Sequence, residues 1–195
     1  MFLNLITPSA NPTNLNKISQ FINIPRENYR WIIVLDSDTI PDFNFPENAE
    51  IYCHKNHESI SGNAQRNFGL KLVEKGHIFF LDDDTILHPL LWENIEDKED
   101  YDYVGFDSAW PTSKSLDSKT ITQESKVIRT LGDNPKLDLI DSGNFIVKHN
   151  VVKDLENLMK LRLEAIKVGD PMDKSTDIGP LISEKHRDLV HQKVQ

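Results

Sequence analysis

Three consecutive carboxylates, Asp82-Asp83-Asp84, directly follow the apolar run Ile78-Phe79-Phe80-Leu81. Adjacent carboxylates repel one another, and at the end of a buried strand such a set is stable if it recruits a hard cation. Oxygen ligands without cysteine favour Mg²⁺ or Mn²⁺ over Zn²⁺. Taken alone, the three aspartates read equally as a solvated turn, because turns favour Asp. The segment ahead of the strand tips the balance toward chemistry. Ser61-Gly62-Asn63-Ala64-Gln65-Arg66-Asn67 begins a helix that leads directly into the Asp-rich strand. A helix N-terminus offers unpaired N–H groups and a positive dipole end, and Arg66 adds a fixed charge suited to a diphosphate. Alone, Arg66 could be an ordinary surface ion pair. Together, metal carboxylates and a basic helix start describe a site for a nucleoside diphosphate, in which cation and Arg66 stabilise the charge on a departing diphosphate.

The elements that must hold these residues alternate along the first half. Apolar runs at 2–6, 31–35, 51–53 and 78–81 have the length and the Ile, Val and Phe content of strands buried on both faces. Between them, Leu15, Ile18, Phe21 and Ile22 share one helical face, and Ala64, Phe68, Leu72 and Val73 another. Alternating strand and helix predict βαβ units and an α/β fold with a mostly parallel, Rossmann-like sheet. In such sheets ligands bind beyond the carboxyl ends of the strands. Those ends carry Thr7-Pro8-Ser9, Asp36-Ser37-Asp38 and Asp82-Asp83-Asp84-Thr85. The second half is less regular. Strands are expected at 103–106 and 139–147, separated by a polar stretch at 111–126 that reads as a long loop. Asn150 is expected to cap a helix with Val152, Leu155, Met159, Arg162 and Ile166 on one face, Gly169-Asp170-Pro171 to break it, and a last helix to start near Ile178.

Composition narrows the classes of function. The chain has 195 residues, 22 Lys plus Arg against 31 Asp plus Glu, and a formal charge of −9, which argues against general binding to nucleic acid or to an anionic membrane. Cys53 is the only cysteine, which excludes an internal disulfide framework and fits a reducing compartment. No apolar run reaches spanning length, so a cytoplasmic location without a membrane span is expected. The chain stops inside helical-looking sequence, as would a domain cut from something longer. The motifs of serine hydrolases, P-loop NTPases and dinucleotide-binding enzymes are absent.

The order of motifs carries a resemblance. Ile6-Thr7-Pro8 after a first strand, Trp31-Ile32-Ile33-Val34-Leu35-Asp36 as a second, then Gly62-Asn63-Ala64-Gln65-Arg66-Asn67-Phe68-Gly69-Leu70 and Phe79-Phe80-Leu81-Asp82-Asp83-Asp84-Thr85 resemble a GT-A glycosyltransferase. They are most similar to the β-1,3-glucuronyltransferases. The resemblance implies one GT-A domain over 1–195, with 1–85 as the nucleotide-sugar half and 86–195 as the acceptor half. It further implies that Thr7, Pro8 and Asp36 line the nucleoside, that Arg66 and Asp82 contact the nucleotide and Asp83 the ribose, and that Asp84 holds the Mn²⁺ or Mg²⁺ of this DXD-type motif. Ile140-Asp141-Ser142-Gly143-Asn144-Phe145 is similar to the acceptor-side strand, so that Asp141 would touch a sugar. Thr176-Asp177-Ile178-Gly179-Pro180-Leu181 lies where the family carries its catalytic base, which makes Asp177 the expected general base. The expected reaction is transfer of a sugar, with inversion, from a nucleoside-diphosphate sugar to a hydroxyl of a glycan acceptor. UDP-glucose is the first choice of UDP-sugar, because no second basic cluster would balance a carboxylate on the donor.

The sequence departs from the family in places. The base position holds Asp in place of Glu, and the later segment that adds a His near the diphosphate is missing, which leaves His186 or His191 as substitutes. Both are lone helical histidines, commonly exposed or packed. His54-Lys55-Asn56-His57-Glu58 lacks the spacing of a zinc hydrolase and reads as loop. Trp110 could stack on a sugar or anchor its loop, and Trp92, near Leu91 and Ile95, reads as core. Two alternatives stand beside the transferase. A sugar-phosphate nucleotidyltransferase would need a Gly-rich basic loop after the first strand, which Thr7-Pro8-Ser9-Ala10-Asn11 does not offer. A nucleotide- or glycan-binding module without turnover would not need both the aspartate triplet and a candidate base.

Overall fold

A computed structural model describes residues 1–55, 62–105, 145–179 and 183–194. The chain forms two compact units, Met1–Val151 and Val152–Gln195.

In the first unit the apolar runs become β1 (Leu3–Ser9), β2 (Tyr29–Leu35), β3 (Ala49–Cys53) and β4 (His77–Phe80), joined by β5 (Tyr103–Gly105) and β6 (Phe145–Lys148). Among the described residues these make one six-stranded sheet in the order β3-β2-β1-β4-β6-β5. β1 lies parallel to both β2 and β4, and β2 parallel to β3. The mostly parallel α/β sheet expected from the alternation is therefore present. β5 and β6 run antiparallel at one end. Four strands consequently deliver their carboxyl ends to a single edge.

β1 is buried at every position and β2 at every position but Arg30, because alternating side chains face covered surfaces on both sides of the sheet. Leu3 and Leu5 of β1, Trp31, Ile33 and Leu35 of β2, and Phe79 and Leu81 at β4 form one continuous core with Leu15, Ile18 and Ile95. Leu15 and Ile18 come from the short helix α1 (Leu15–Ser19), and Ile95 from α3 (Leu91–Ile95). Trp92 packs half-buried against this core. Ile6, Ile32, Val34 and Ile78 are buried as well but stand outside that cluster. Ile6 is covered by α2 (Asn63–Lys71), whose approach is unusually close. A Cβ placed on Gly69 would lie 2.5 Å from Ile6 Cγ2.

That closeness corrects the expected face of α2. Its buried residues are Gln65 and Gly69, while Ala64 and Phe68 are half-buried. A helix seated this near a sheet needs a small residue at the contact, so glycine replaces the large apolar residues that periodicity favours. Arg30 fixes the far end of the same packing. Its guanidinium makes paired 2.7 Å bonds to the Glu50 carboxylate of β3 and donates to Leu72 O at 2.8 Å. This pairing holds the Glu50 carboxyl below its ordinary value.

Helix α4 (His149–Ala165) starts one residue before Asn150, so Asn150 lies inside the helix and is not its cap. The last helix, α5 (Glu184–Val194), begins later than the expected Ile178. Between the two helices, Val168 and Ile178 pair as a parallel bridge. Asp170 and Asp173 turn the chain by accepting from the amides of Met172 and Ser175, both at 2.8 Å. Such local bonds compete directly with helix formation. Among the described residues, no helix is long and apolar enough to cross a membrane.

Candidate nucleotide-sugar site

The carboxyl ends of β1, β2 and β4 bring most of the expected residues to one edge of the first unit. Thr7 is fully buried in β1, where its Oγ1 accepts a 2.9 Å bond from the Trp31 indole Nε1. Pro8 is buried beside it. Asp36 follows β2 and is exposed, with its amide donating to Ser9 O at 2.8 Å. The parallel ladder, which pairs Ser9 with Leu35, makes that bond the last rung of the sheet.

Arg66 reaches this edge because α2 starts against the end of β1. Gly62 precedes the helix in the left-handed conformation, φ 71°, and a Cβ there would lie 2.8 Å from Pro8 Cβ. Only glycine meets both demands without strain. One turn later the Arg66 guanidinium makes a 2.5 Å ion pair with Asp82 Oδ1. It also lies over the Phe80 ring, 6.0 Å from its centroid. Arg66 is only 14% exposed and Asp82 31%, so the pair is sheltered from solvent more than a typical surface pair. The aspartates that are adjacent in sequence thus have separate partners. Asp82 pairs with Arg66, and Asp83 Oδ2 accepts from the Ser9 hydroxyl at 2.8 Å and faces Asn11 N at 3.5 Å. Asp84 is exposed.

Among the described residues, no three His, Cys, Asp or Glu side chains come together as a metal cage. The donor set still fits Mg²⁺ or Mn²⁺. These ions are often held by one or two carboxylates, with phosphate oxygens and water completing the octahedron. Asp84 offers such an exposed carboxylate two residues after Asp82, the partner of Arg66.

The other expected site residues lie in the second unit or outside the described residues. Asp177 belongs to the second unit, is exposed, accepts from Lys167 N at 3.0 Å and lies 4.0 Å from Arg162 Nη2. His186 and His191 are exposed on α5. Asp141, Trp110 and the polar stretch at 111–126 lie outside the described residues, as do His57 and Glu58. His54, in the loop after β3, stacks on Phe68 with ring centroids 5.0 Å apart, and its carbonyl accepts from Gln65 Nε2 at 2.8 Å. Ser9, given no role by the resemblance although it stands at a strand end, joins this edge through Asp83. Its signal was a hydroxyl at the last position of a buried strand, on the same face as Thr7.

Known proteins divide along the chain. Residues 140–195 match the aldehyde dehydrogenase family. Succinate-semialdehyde dehydrogenase [NADP(+)] 1 of Mycobacterium tuberculosis is 31% identical over 83 residues, which is 43% of this chain and 17% of that protein. Betaine aldehyde dehydrogenase 2 of Rhizobium meliloti is 62% identical over 29 residues, 15% of this chain and 6% of that protein. The chain therefore spans well under a fifth of the curated relatives it matches. Among solved structures, residues 1–349 of S. aureus TarS superpose with a TM-score of 0.58 at 15% identity, over 80% of this chain and 49% of TarS 1–349. TarS has also been solved with UDP, at a TM-score of 0.55, and with UDP-GlcNAc, at 0.51. At this identity the likeness is one of fold, and the six-stranded sheet with its flanking helices is of GT-A type.

Proposed function

We propose that the chain carries the donor site of a metal-dependent, inverting glycosyltransferase that takes its sugar from a UDP-sugar, UDP-glucose first among them, and passes it to a hydroxyl of a glycan acceptor in the cytoplasm. The observation that carries this reading is the Arg66–Asp82 pair beside Asp83 and Asp84 at the carboxyl edge of a parallel sheet. The fold shared with TarS, a protein solved with UDP and UDP-GlcNAc, supports it. In this reading Thr7, Pro8 and Asp36 border the nucleoside, Asp82 and Asp83 hold the nucleotide, and Asp84 holds Mn²⁺ or Mg²⁺. The cation, when bound, supplies electrostatic stabilisation of the diphosphate leaving group. Arg66 adds a fixed positive charge at the same place. Asp177 takes the proton from the acceptor hydroxyl, and Asp141 contacts a sugar. Residues 1–85 serve the donor and 86–195 the acceptor.

A second reading of residues 140–195 has its own observation. This segment matches the aldehyde dehydrogenase family, and the Asp177 carboxylate accepts the Lys167 amide in the loop that pairs Val168 with Ile178. Asp177 then closes a loop and has no part in proton transfer. Asp177→Asn separates the two, because a carboxamide oxygen still accepts from Lys167 N but is no base. The test is nucleotide release from UDP-glucose, UDP-galactose, UDP-glucuronic acid, UDP-N-acetylglucosamine and GDP-mannose, with Mn²⁺ and then with chelator. The transferase reading expects one donor to be cleaved, with cleavage lost on chelation and in Asp84→Ala. It also expects a loss of about 10²- to 10⁴-fold in Asp177→Asn. Unchanged cleavage in Asp177→Asn selects the second reading of that segment. No cleavage of any donor rejects the transferase.

A further inference from the structure

Ser9 ties together the three strand ends of the donor edge, and its two bonds run in different directions. Its carbonyl accepts the Asp36 amide at 2.8 Å, which fixes the start of the loop after β2. Its hydroxyl donates to Asp83 Oδ2 at 2.8 Å, which fixes the loop after β4. Ser9 is itself only 3% exposed. The backbone amide of Asn11 faces the same Oδ2 at 3.5 Å. Both contacts fall on one carboxylate oxygen. An ionised carboxylate has two oxygens and accepts only. With Oδ2 held from the protein side, Oδ1 is the oxygen left to accept hydrogen bonds from a ligand.

Resting on the donor-site reading above, we infer that Ser9 is a positioning residue for nucleoside recognition, locking Asp83 through Oδ2 so that Oδ1 accepts the ribose hydroxyls of the donor. The backbone carbonyl of Ser9 also accepts the amide of Asp36, the residue expected beside the base, so the lock sits next to that loop start. A carboxylate held in place discriminates sharply for hydroxyls, because a ligand lacking them leaves a desolvated acceptor unpaired. A carboxylate that can swing away loses that discrimination while overall binding survives.

The experiment measures affinity for UDP and for 2′,3′-dideoxyuridine diphosphate, both with Mn²⁺, in wild type, Ser9→Ala, Ser9→Thr and Asp83→Ala. Wild type is expected to prefer UDP by about tenfold or more, and Ser9→Ala to reduce that preference to about threefold or less. Ser9→Thr, which keeps the hydroxyl, should restore it. Asp83→Ala should abolish it, and adding Ser9→Ala to Asp83→Ala should change the ratio no further. A general loss of packing would weaken both ligands alike and leave the ratio intact. An unchanged ratio in Ser9→Ala overturns the role given to Ser9 and leaves the donor site standing. Equal binding of the two ligands by wild type overturns the hydroxyl contact of Asp83 in the same way. Failure of wild type to bind UDP at all overturns the donor site and this inference together.

Discussion

The two units of the chain hold their polar residues by opposite means. In Met1–Val151 the polar groups of the carboxyl edge hang from strands whose side chains are almost wholly buried, with Leu3, Leu5, Ile6, Trp31 and Ile33 all at 0% exposure. The strand ends set Ser9 against Asp36 and against Asp83, the latter 74 residues away in sequence. In Val152–Gln195, α4 has no buried residue, and Leu155, Leu158, Leu161 and Leu163 are each more than half exposed. There the ordering bonds are local, such as Lys167 N to Asp177 and Met172 N to Asp170. A site that must hold a carboxylate to within a fraction of an ångström belongs on the first kind of scaffold.

The sharpest way to break this comparison is to remove one large apolar side chain from each unit. Phe79, 1% exposed at the centre of the sheet, should lose about 3–5 kcal/mol as Phe79→Ala. Leu161, 62% exposed on α4, should change stability by no more than about 0.5 kcal/mol as Leu161→Ala. Urea unfolding of both variants checks the contrast, and equal losses would remove it. A smaller effect is expected at the seat of α2. Gly69→Ala places a Cβ where Ile6 Cγ2 stands 2.5 Å away, and should destabilise by about 1–3 kcal/mol. It should also weaken UDP binding by displacing Arg66, which sits one turn earlier on the same helix.

The smallest effect depends on pH. His77, at the start of β4, is 3% exposed, and burial holds its imidazole below the ordinary 6.5 despite the bond from Nε2 to Tyr101 O. The unfolded chain takes up a proton near 6.5 that the folded chain refuses. Stability from this group is therefore complete above that pH and declines as pH falls below it, by at most about 1.4 kcal/mol per pH unit. Urea midpoints between pH 7.5 and 5.5 should show the decline in wild type and a flatter profile in His77→Gln.

The sheet was legible because buried parallel strands leave apolar runs, and the position of Asp82-Asp83-Asp84 after one of them put the triplet at the sheet's carboxyl edge. What the runs could not convey was pairing across the chain. That Asp82 belongs to Arg66 depends on how closely α2 and β1 approach, which is set by Gly62 and Gly69, and that Asp83 belongs to Ser9 depends on the pairing of β1 with β4. No hydrophobic pattern reports a contact made by a missing side chain. Periodicity accordingly put Phe68 where Gln65 and Gly69 are buried. The second unit was less legible for a different reason. Asp170, Asp173 and Asp177 stop the helical pattern by bonding nearby amides, so Ile178 lies in a bridge with Val168 and the last helix waits until Glu184.

Paramagnetic mapping of the bound cation tests the central claim most directly. Titrating UDP and a trace of Mn²⁺ into the isotopically labelled protein should broaden the amide signals of Ser9, Asp36, Arg66 and 82–85 first and most strongly. Asp84→Ala should abolish the broadening. Broadening centred on 167–178, or none with UDP present, would contradict a nucleotide-sugar site at the carboxyl edge of this sheet.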